Sequence, residues 1–137
     1  KTLSVRVQRS VDNAKKVADW LVNCTDVAHV HYPGLESHPQ HKLAASQMRD
    51  FGAMVSFSLK DDSIEAAERL MSKTKVFTLA ESLGGVESLI SHPASMTHGS
   101  IPKEVREKAG LFDSLIRLSV GIEDADDLID DLKQTLN

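Results

Sequence analysis

Cysteine is nearly missing from this chain: Cys24 stands alone among 137 residues. One thiol makes neither an internal disulfide framework nor a multi-cysteine zinc site, and its solitude fits a reducing compartment. Aromatic residues are scarce at 4%, and cations are in the minority, with 16 Lys and Arg against 20 Asp and Glu for a net charge of -4. A nucleic-acid binder needs clustered cations and rings on which bases stack, so that class is set aside. Long apolar runs are absent as well, and nothing approaches the roughly 20 residues of a membrane span. The opening Lys1-Thr2-Leu3-Ser4 lacks the charged-then-apolar pattern of a secretory signal. Repeats, low-complexity tracts and Pro/Gly/Ser linkers are missing too. What is present, 41% hydrophobic and 26% charged residues, suffices for one domain with a real core. Composition therefore predicts a single soluble, cytoplasmic domain over 1–137, without nucleic-acid or membrane partners.

Periodicity supplies the elements. Val11, Ala14, Ala18 and Leu21 recur at helical intervals, and Leu3 and Val7 extend the stripe almost to the first residue. No capping residue or turn precedes it, so residues 1–23 read as one long helix whose origin lies upstream. Residues 27–31 read as a strand closed by the turn Tyr32-Pro33-Gly34-Leu35. A helix follows over about 37–48, with Pro39 in its first turn. Residues 54–59 alternate, putting Val55, Phe57 and Leu59 on one face of a strand. Asp62 and Glu65 have the spacing of a capping box, predicting a helix to about Ser72. Strand 75–79, a loop broken by Gly84-Gly85, a helix bracketed by Pro102 and Gly110, and strand 115–120 come next. Asp124, Asp126 and Asp127 favour the start of a closing helix. Strands separated by helices predict an α/β or α+β domain, with helices packed on a small sheet.

Several residues invite chemistry. On strand 115–120, Arg117 shares a face with Leu115 and Ser119, opposite Ile116, Leu118 and Val120. A guanidinium on a rigid strand is a fork for a carboxylate; the alternative is an Arg paired with a nearby Asp or reaching to solvent. In Glu81-Ser82-Leu83-Gly84-Gly85, two glycines permit close backbone approach beside a hydroxyl and a carboxylate, or simply make a turn. His29 and His31 share a strand face, and His38 and His41 lie three apart, but the company of a zinc site is not arranged around them. Glu123 to Asp131 reads as a helix start with a solvated face, since a calcium loop needs a glycine at its sixth position. Cys24 reads as a small core or surface thiol. Ser72-Lys73-Thr74-Lys75 is similar to a stretch in which some pyridoxal-phosphate enzymes carry their anchoring lysine. Here Val76-Phe77 follows, so Lys75 reads as a strand-leading residue and not a cofactor anchor.

Longer blocks resemble a family. Lys1-Thr2-Leu3 with Arg6, Tyr32-Pro33-Gly34-Leu35 with Ser37-His38-Pro39, the run from Phe77 to Leu89, Met96-Thr97-His98 with Ile101-Pro102, and Leu115 to Asp124 carry the likeness. Together they resemble the C-terminal portion of the Cys/Met-metabolism pyridoxal-phosphate enzymes. The resemblance implies the small C-terminal domain of the aspartate-aminotransferase-like fold type I, a mostly antiparallel sheet covered by helices. It implies further that an N-terminal domain, absent here, carries the Schiff-base lysine and most contacts to pyridoxal 5'-phosphate, so no catalytic residue lies on this chain. Subunits of the family form homotetramers and act on small sulfur amino acids. Carried over, Arg117 would bind the substrate α-carboxylate, Ser82 would sit by the cofactor lysine and help hold that carboxylate, Glu81 would face the distal end of the substrate, and Thr97 would lie near the same pocket. Glu81 favours the γ branch, closest to γ-elimination of cystathionine in transsulfuration, with the γ-synthase reaction or another lyase of the family as alternatives. A non-catalytic binding or assembly module is the reading from a different class.

Overall fold

The computed structural model describes residues 1–136. Its elements run α1 (Leu3–Leu21), β1 (Val27–His31), α2 (His41–Gln47), β2 (Met54–Leu59), α3 (Ile64–Met71), β3 (Thr78–Leu79), β4 (Leu89–Ser91), α4 (Lys103–Lys108), β5 (Ile116–Ser119) and α5 (Ala125–Lys133). The strands form one five-stranded sheet in the order β1-β2-β5-β4-β3. Only the β3–β4 pair is parallel; β1–β2, β2–β5 and β4–β5 are antiparallel. This is the expected helix-covered, mostly antiparallel sheet.

The helices take up the apolar side. Val55, Phe57, Ile90, Ile116 and Leu118 are completely buried, and they form one cluster with Ala14, Val17 and Leu21 of α1, Ala67 and Leu70 of α3, and Leu128 and Leu132 of α5. Each large side chain removed from water in this way contributes about 1.5–3 kcal/mol. The stripe on α1 is buried from Ser10 to Leu21. Toward its start the same stripe is exposed, with Leu3 and Val7 62% and 44% exposed.

Several local expectations are corrected. Strand β4 falls where a loop was expected, because three buried residues are too few to show alternation. Helix α3 is capped by Ser63, whose side chain accepts the Ala66 N–H; Asp62 instead accepts the Ser114 N–H at 2.8 Å, across the fold. Helix α2 begins only at His41 because 35–41 is spent in tight turns, with backbone bonds from Leu35 to Tyr32, His38 to Leu35 and His41 to His38. The strand expected over 75–79 contracts to Thr78–Leu79. The cause is Asp131, whose carboxylate accepts the N–H groups of Lys75, Val76 and Phe77 at 2.8–2.9 Å. Asp131 is therefore buried and structural rather than part of a solvated acidic face. Asp124 does cap α5, accepting from Asp126 N–H at 2.9 Å.

Register decides what the other side of the sheet carries. Ser56 lies opposite Arg117 across β2–β5, and Ser91 lies opposite Arg117 across β4–β5. His31 lies opposite Ser56 across β1–β2. Directly opposed residues point to the same face, so His31, Ser56, Arg117 and Ser91 form a polar row across four strands. Ser58 and Ser119, two positions along, share that face.

Candidate functional site

Arg117 sits in the middle of this row, on a strand paired on both sides, so its backbone is fixed. The residue is half-buried. Its Nη2 donates to the carbonyl oxygens of Glu81 at 2.7 Å and Ser82 at 3.3 Å. Arg117 Nε is buried and has no hydrogen-bond partner. A buried polar group left unpaired costs roughly 1–3 kcal/mol. The guanidinium is thus held at one corner by the loop and retains unused N–H groups, which is the condition of a fork awaiting an anion.

The loop it holds is itself clasped from three directions. Gly84 takes φ +74°, where a side chain would be strained, and its N–H donates to Ser119 Oγ at 2.8 Å. Arg6 of α1 donates from Nη1 to the Gly84 carbonyl. Farther along, Ser88 N–H and Oγ–H donate to the Glu123 carboxylate at 2.6 and 2.8 Å, while Ser88 Oγ accepts the Gly121 N–H at 2.8 Å. Buried Asn13 donates to the carbonyls of Gly121 and Glu123 at 3.0 and 2.8 Å. Gly121 is required by space, since a Cβ there would lie 2.3 Å from the Val86 carbonyl oxygen. These bonds lock the loop, the β5–α5 turn and α1 into one unit under Arg117.

The two side chains expected in the site stand on this loop but do not touch Arg117. Glu81 and Ser82 are exposed, and it is their carbonyls that receive the guanidinium. Thr97, also exposed, bonds within its own segment, to His98 Nδ1 at 2.7 Å and the Pro93 carbonyl at 3.5 Å. That segment, 92–114, is pinned by a buried cluster. His92 is fully buried; its Nε2 bonds the Asp113 carbonyl at 2.6 Å and its Nδ1 bonds Ser95 Oγ at 2.7 Å. The Asp113 carboxylate accepts from Lys103 Nζ at 2.5 Å and from Arg106 Nη2 at 3.0 Å. The lysine bond first, then the Arg106 bond and both charges, hold the Asp113 carboxyl below the ordinary carboxylate range.

Sequence reasoning passed over Ser88, Ser91 and Asn13, and it gave Ser119 and Glu123 no part in holding the loop, where Ser119 accepts from Gly84 and Glu123 from Ser88. Serines flanking a three-residue strand give no periodic signal, and Asn13 in a helix reads as surface until its partner 108 residues away is known.

His29, His31 and His38 line a cavity of about 340 Å³, and burial, then the neighbouring His29 and His38, holds the His31 imidazole below its usual range. His41 Nδ1 bonds the Pro33 carbonyl at 2.8 Å and its ring stacks on Phe51 at 5.2 Å. Among the described residues no group of three or more His, Cys, Asp or Glu is arranged to hold a metal. Cys24 is a free thiol whose Sγ donates to the Trp20 carbonyl at 3.6 Å, and burial raises its pKa. Lys75 stands exposed, with its backbone on Asp131 of α5. Among the described residues no helix is long and apolar enough to cross a membrane.

Comparison with known proteins shows the family. The chain is 53% identical over 136 residues to a cystathionine β-lyase of Coxiella burnetii, covering 99% of this chain and 35% of that protein. It is 52% identical over 139 residues to a cystathionine γ-lyase of Saccharomyces cerevisiae, again covering 99% of this chain and 35% of the relative. The solved structure of a cystathionine γ-lyase from Micromonospora echinospora superimposes with a TM-score of 0.93 at 47% identity, over 98% of this chain and 35% of that one. This chain thus spans about a third of the length of such relatives. The model of the Cys/Met metabolism PLP-dependent enzymes matches residues 1–137, and the chain belongs to that family.

Proposed function

We propose that this chain is the C-terminal, substrate-positioning domain of a pyridoxal-phosphate-dependent cystathionine γ-lyase, with residues 1–23 lying in the long helix that leads out of the cofactor-binding domain. The observation that carries the reading is Arg117: a guanidinium fixed on a central strand, tied to two loop carbonyls at Nη2, with unused N–H groups. Such a fork suits the α-carboxylate of an amino acid. These residues fit the amino-acid end of a pyridoxal-phosphate reaction. The anchoring lysine and most contacts to the cofactor belong, in this reading, to the N-terminal part of the subunit.

When bound, pyridoxal phosphate acts as an electron sink, stabilising carbanions at the α and then the β carbon so that a thiol can leave from the γ carbon. This chain's residues supply positioning. Gripping the carboxylate through two parallel hydrogen bonds, Arg117 sets the rotation of the substrate about its α carbon, and so which bond is aligned for cleavage. Ser82, exposed on the same loop, adds a hydroxyl to the carboxylate end. Glu81 offers a carboxylate to the amino group at the distal end of cystathionine, which supports γ over β cleavage. Thr97 adds a hydroxyl to the pocket wall once the rest of the subunit closes on it. The reading extends to a homotetrameric, cytoplasmic enzyme of transsulfuration.

The test is product analysis on the complete protein loaded with pyridoxal phosphate and given cystathionine. Release of 2-oxobutanoate, cysteine and ammonia is expected. Release of pyruvate and homocysteine overturns the γ assignment in favour of β cleavage, the reaction named for the Coxiella burnetii relative.

A further inference from the structure

Among the buried side-chain nitrogen and oxygen atoms of the described residues, two have no hydrogen-bond partner: Arg117 Nε and Ser91 Oγ. They belong to residues directly opposed across β4–β5. One is a donor that cannot accept and the other a hydroxyl that can accept. Opposed side chains on antiparallel strands have their Cβ atoms about 4.5–5.5 Å apart and point to the same face. Ser91 itself is 1% exposed, so water does not satisfy it from outside. Buried polar atoms are paired as a rule, and two complementary ones left open side by side mark a bond that forms in another state of the site.

We propose that Ser91 is a positioning residue for Arg117: when a carboxylate occupies the site, the guanidinium turns and donates its Nε–H to Ser91 Oγ. The inference rests on the reading of Arg117 as the carboxylate clamp. Its geometric content is a division of the guanidinium edges. The buried Nε edge goes to Ser91, Nη2 keeps one N–H for the Glu81 and Ser82 carbonyls, and the Nη1–Nη2 edge is left for a carboxylate gripped end-on. Ser91 touches neither substrate nor cofactor and acts only through Arg117.

The test is a double-mutant cycle in the complete, cofactor-loaded protein, with KM, kcat and the thermal unfolding midpoint read for each variant. Ser91→Ala is expected to raise the KM for the amino-acid substrate about three- to tenfold, the net effect of one typical hydrogen bond. It should leave kcat nearly unchanged. In an R117K background, which has no Nε, the same substitution should leave KM unmoved, the non-additivity expected of a coupled pair. If Ser91→Ala leaves KM unchanged and raises the unfolding midpoint, the hydroxyl is only a buried cost and the proposal is overturned. A KM effect that persists in the R117K background also overturns it. An Arg117→Lys variant with unaltered KM sinks the clamp reading itself and this inference with it, a result separable from the other two.

Discussion

Along β2 and β5, Val55, Phe57, Ile116 and Leu118 face the helices, while Ser56, Ser58, Arg117 and Ser119 face away from them. The same strands thus present two surfaces with different physics. On the helix side stability comes mainly from area removed from water and dense packing, and the buried Asn13 and Asp131 of the covering helices are satisfied by backbone groups. On the serine side each buried polar atom must find a specific partner, and nearly all do. Ser119 accepts the Gly84 N–H at 2.8 Å, and Arg117 Nη2 donates to the carbonyls of Glu81 and Ser82. The exception is the Ser91–Arg117 pair. The difference teaches where to look for function: the apolar face tolerates no guests, whereas the polar face holds one fork with unused donors.

That contrast can be broken at three points. The largest effect belongs to the apolar face. Phe57→Ala removes a fully buried ring and should cost about 3–5 kcal/mol, seen as a lower unfolding midpoint in the complete protein. A loss under about 1 kcal/mol would mean that this side of the sheet is not the stabilising one. Next comes Asp113→Ala, which strips the buried Arg106 guanidinium of its carboxylate. A loss of about 3 kcal/mol is expected, because a buried charge is left unpaired. The same contact sets an acid limb for the native protein. Because the Asp113 carboxyl is held below its usual range, its contribution is present at pH above the ordinary carboxylate pKa and is lost as pH falls through the depressed one. The variant should lack that part of the acid dependence; an unchanged acid limb would exclude Asp113 as its source.

The smallest effect on stability, and the sharpest on function, falls at Arg117. Arg117→Lys keeps the charge but loses the planar fork. A loss in kcat/KM of about 10- to 100-fold is expected, equivalent to roughly 1.5–3 kcal/mol of transition-state binding. The unfolding midpoint should fall by less than in the other two variants, because the native bonds lost are those from Nη2 to the Glu81 and Ser82 carbonyls, and the unpaired Nε is lost with them. A large drop in stability with normal kinetics would turn Arg117 into a structural residue of the polar face and erase the contrast.

Much of the fold was legible in the sequence for a local reason. Strand β2 and the buried part of α1 each carry their apolar period within one window, and Asp124 caps its helix through a residue two positions on. What escaped was non-local. Strand β4 has no period of its own and is defined by β3 and β5 beside it. Asp62 lost its expected cap role to Ser63 because its carboxylate serves Ser114, 52 positions along. Asp131 looked like solvated surface until the backbone of 75–77 folded onto it. Arg117 was legible as a candidate, since the strand phase puts it opposite the core. Its anchoring by two carbonyls, rather than by the Glu81 and Ser82 side chains, was not.

By itself the sequence determined the amphipathic elements, the family and the presence of a guanidinium on the polar phase of β5, because side-chain period and residue type are properties of short stretches of chain. Only the tertiary structure decided which residues that guanidinium meets. Register places Ser91 and Ser56 on either side of it, and the clasp of Gly84 by Ser119 and Arg6 brings the loop carbonyls to Nη2. Those pairings join residues up to 78 positions apart, and they are settled by the burial of the whole sheet rather than by any segment's own preference.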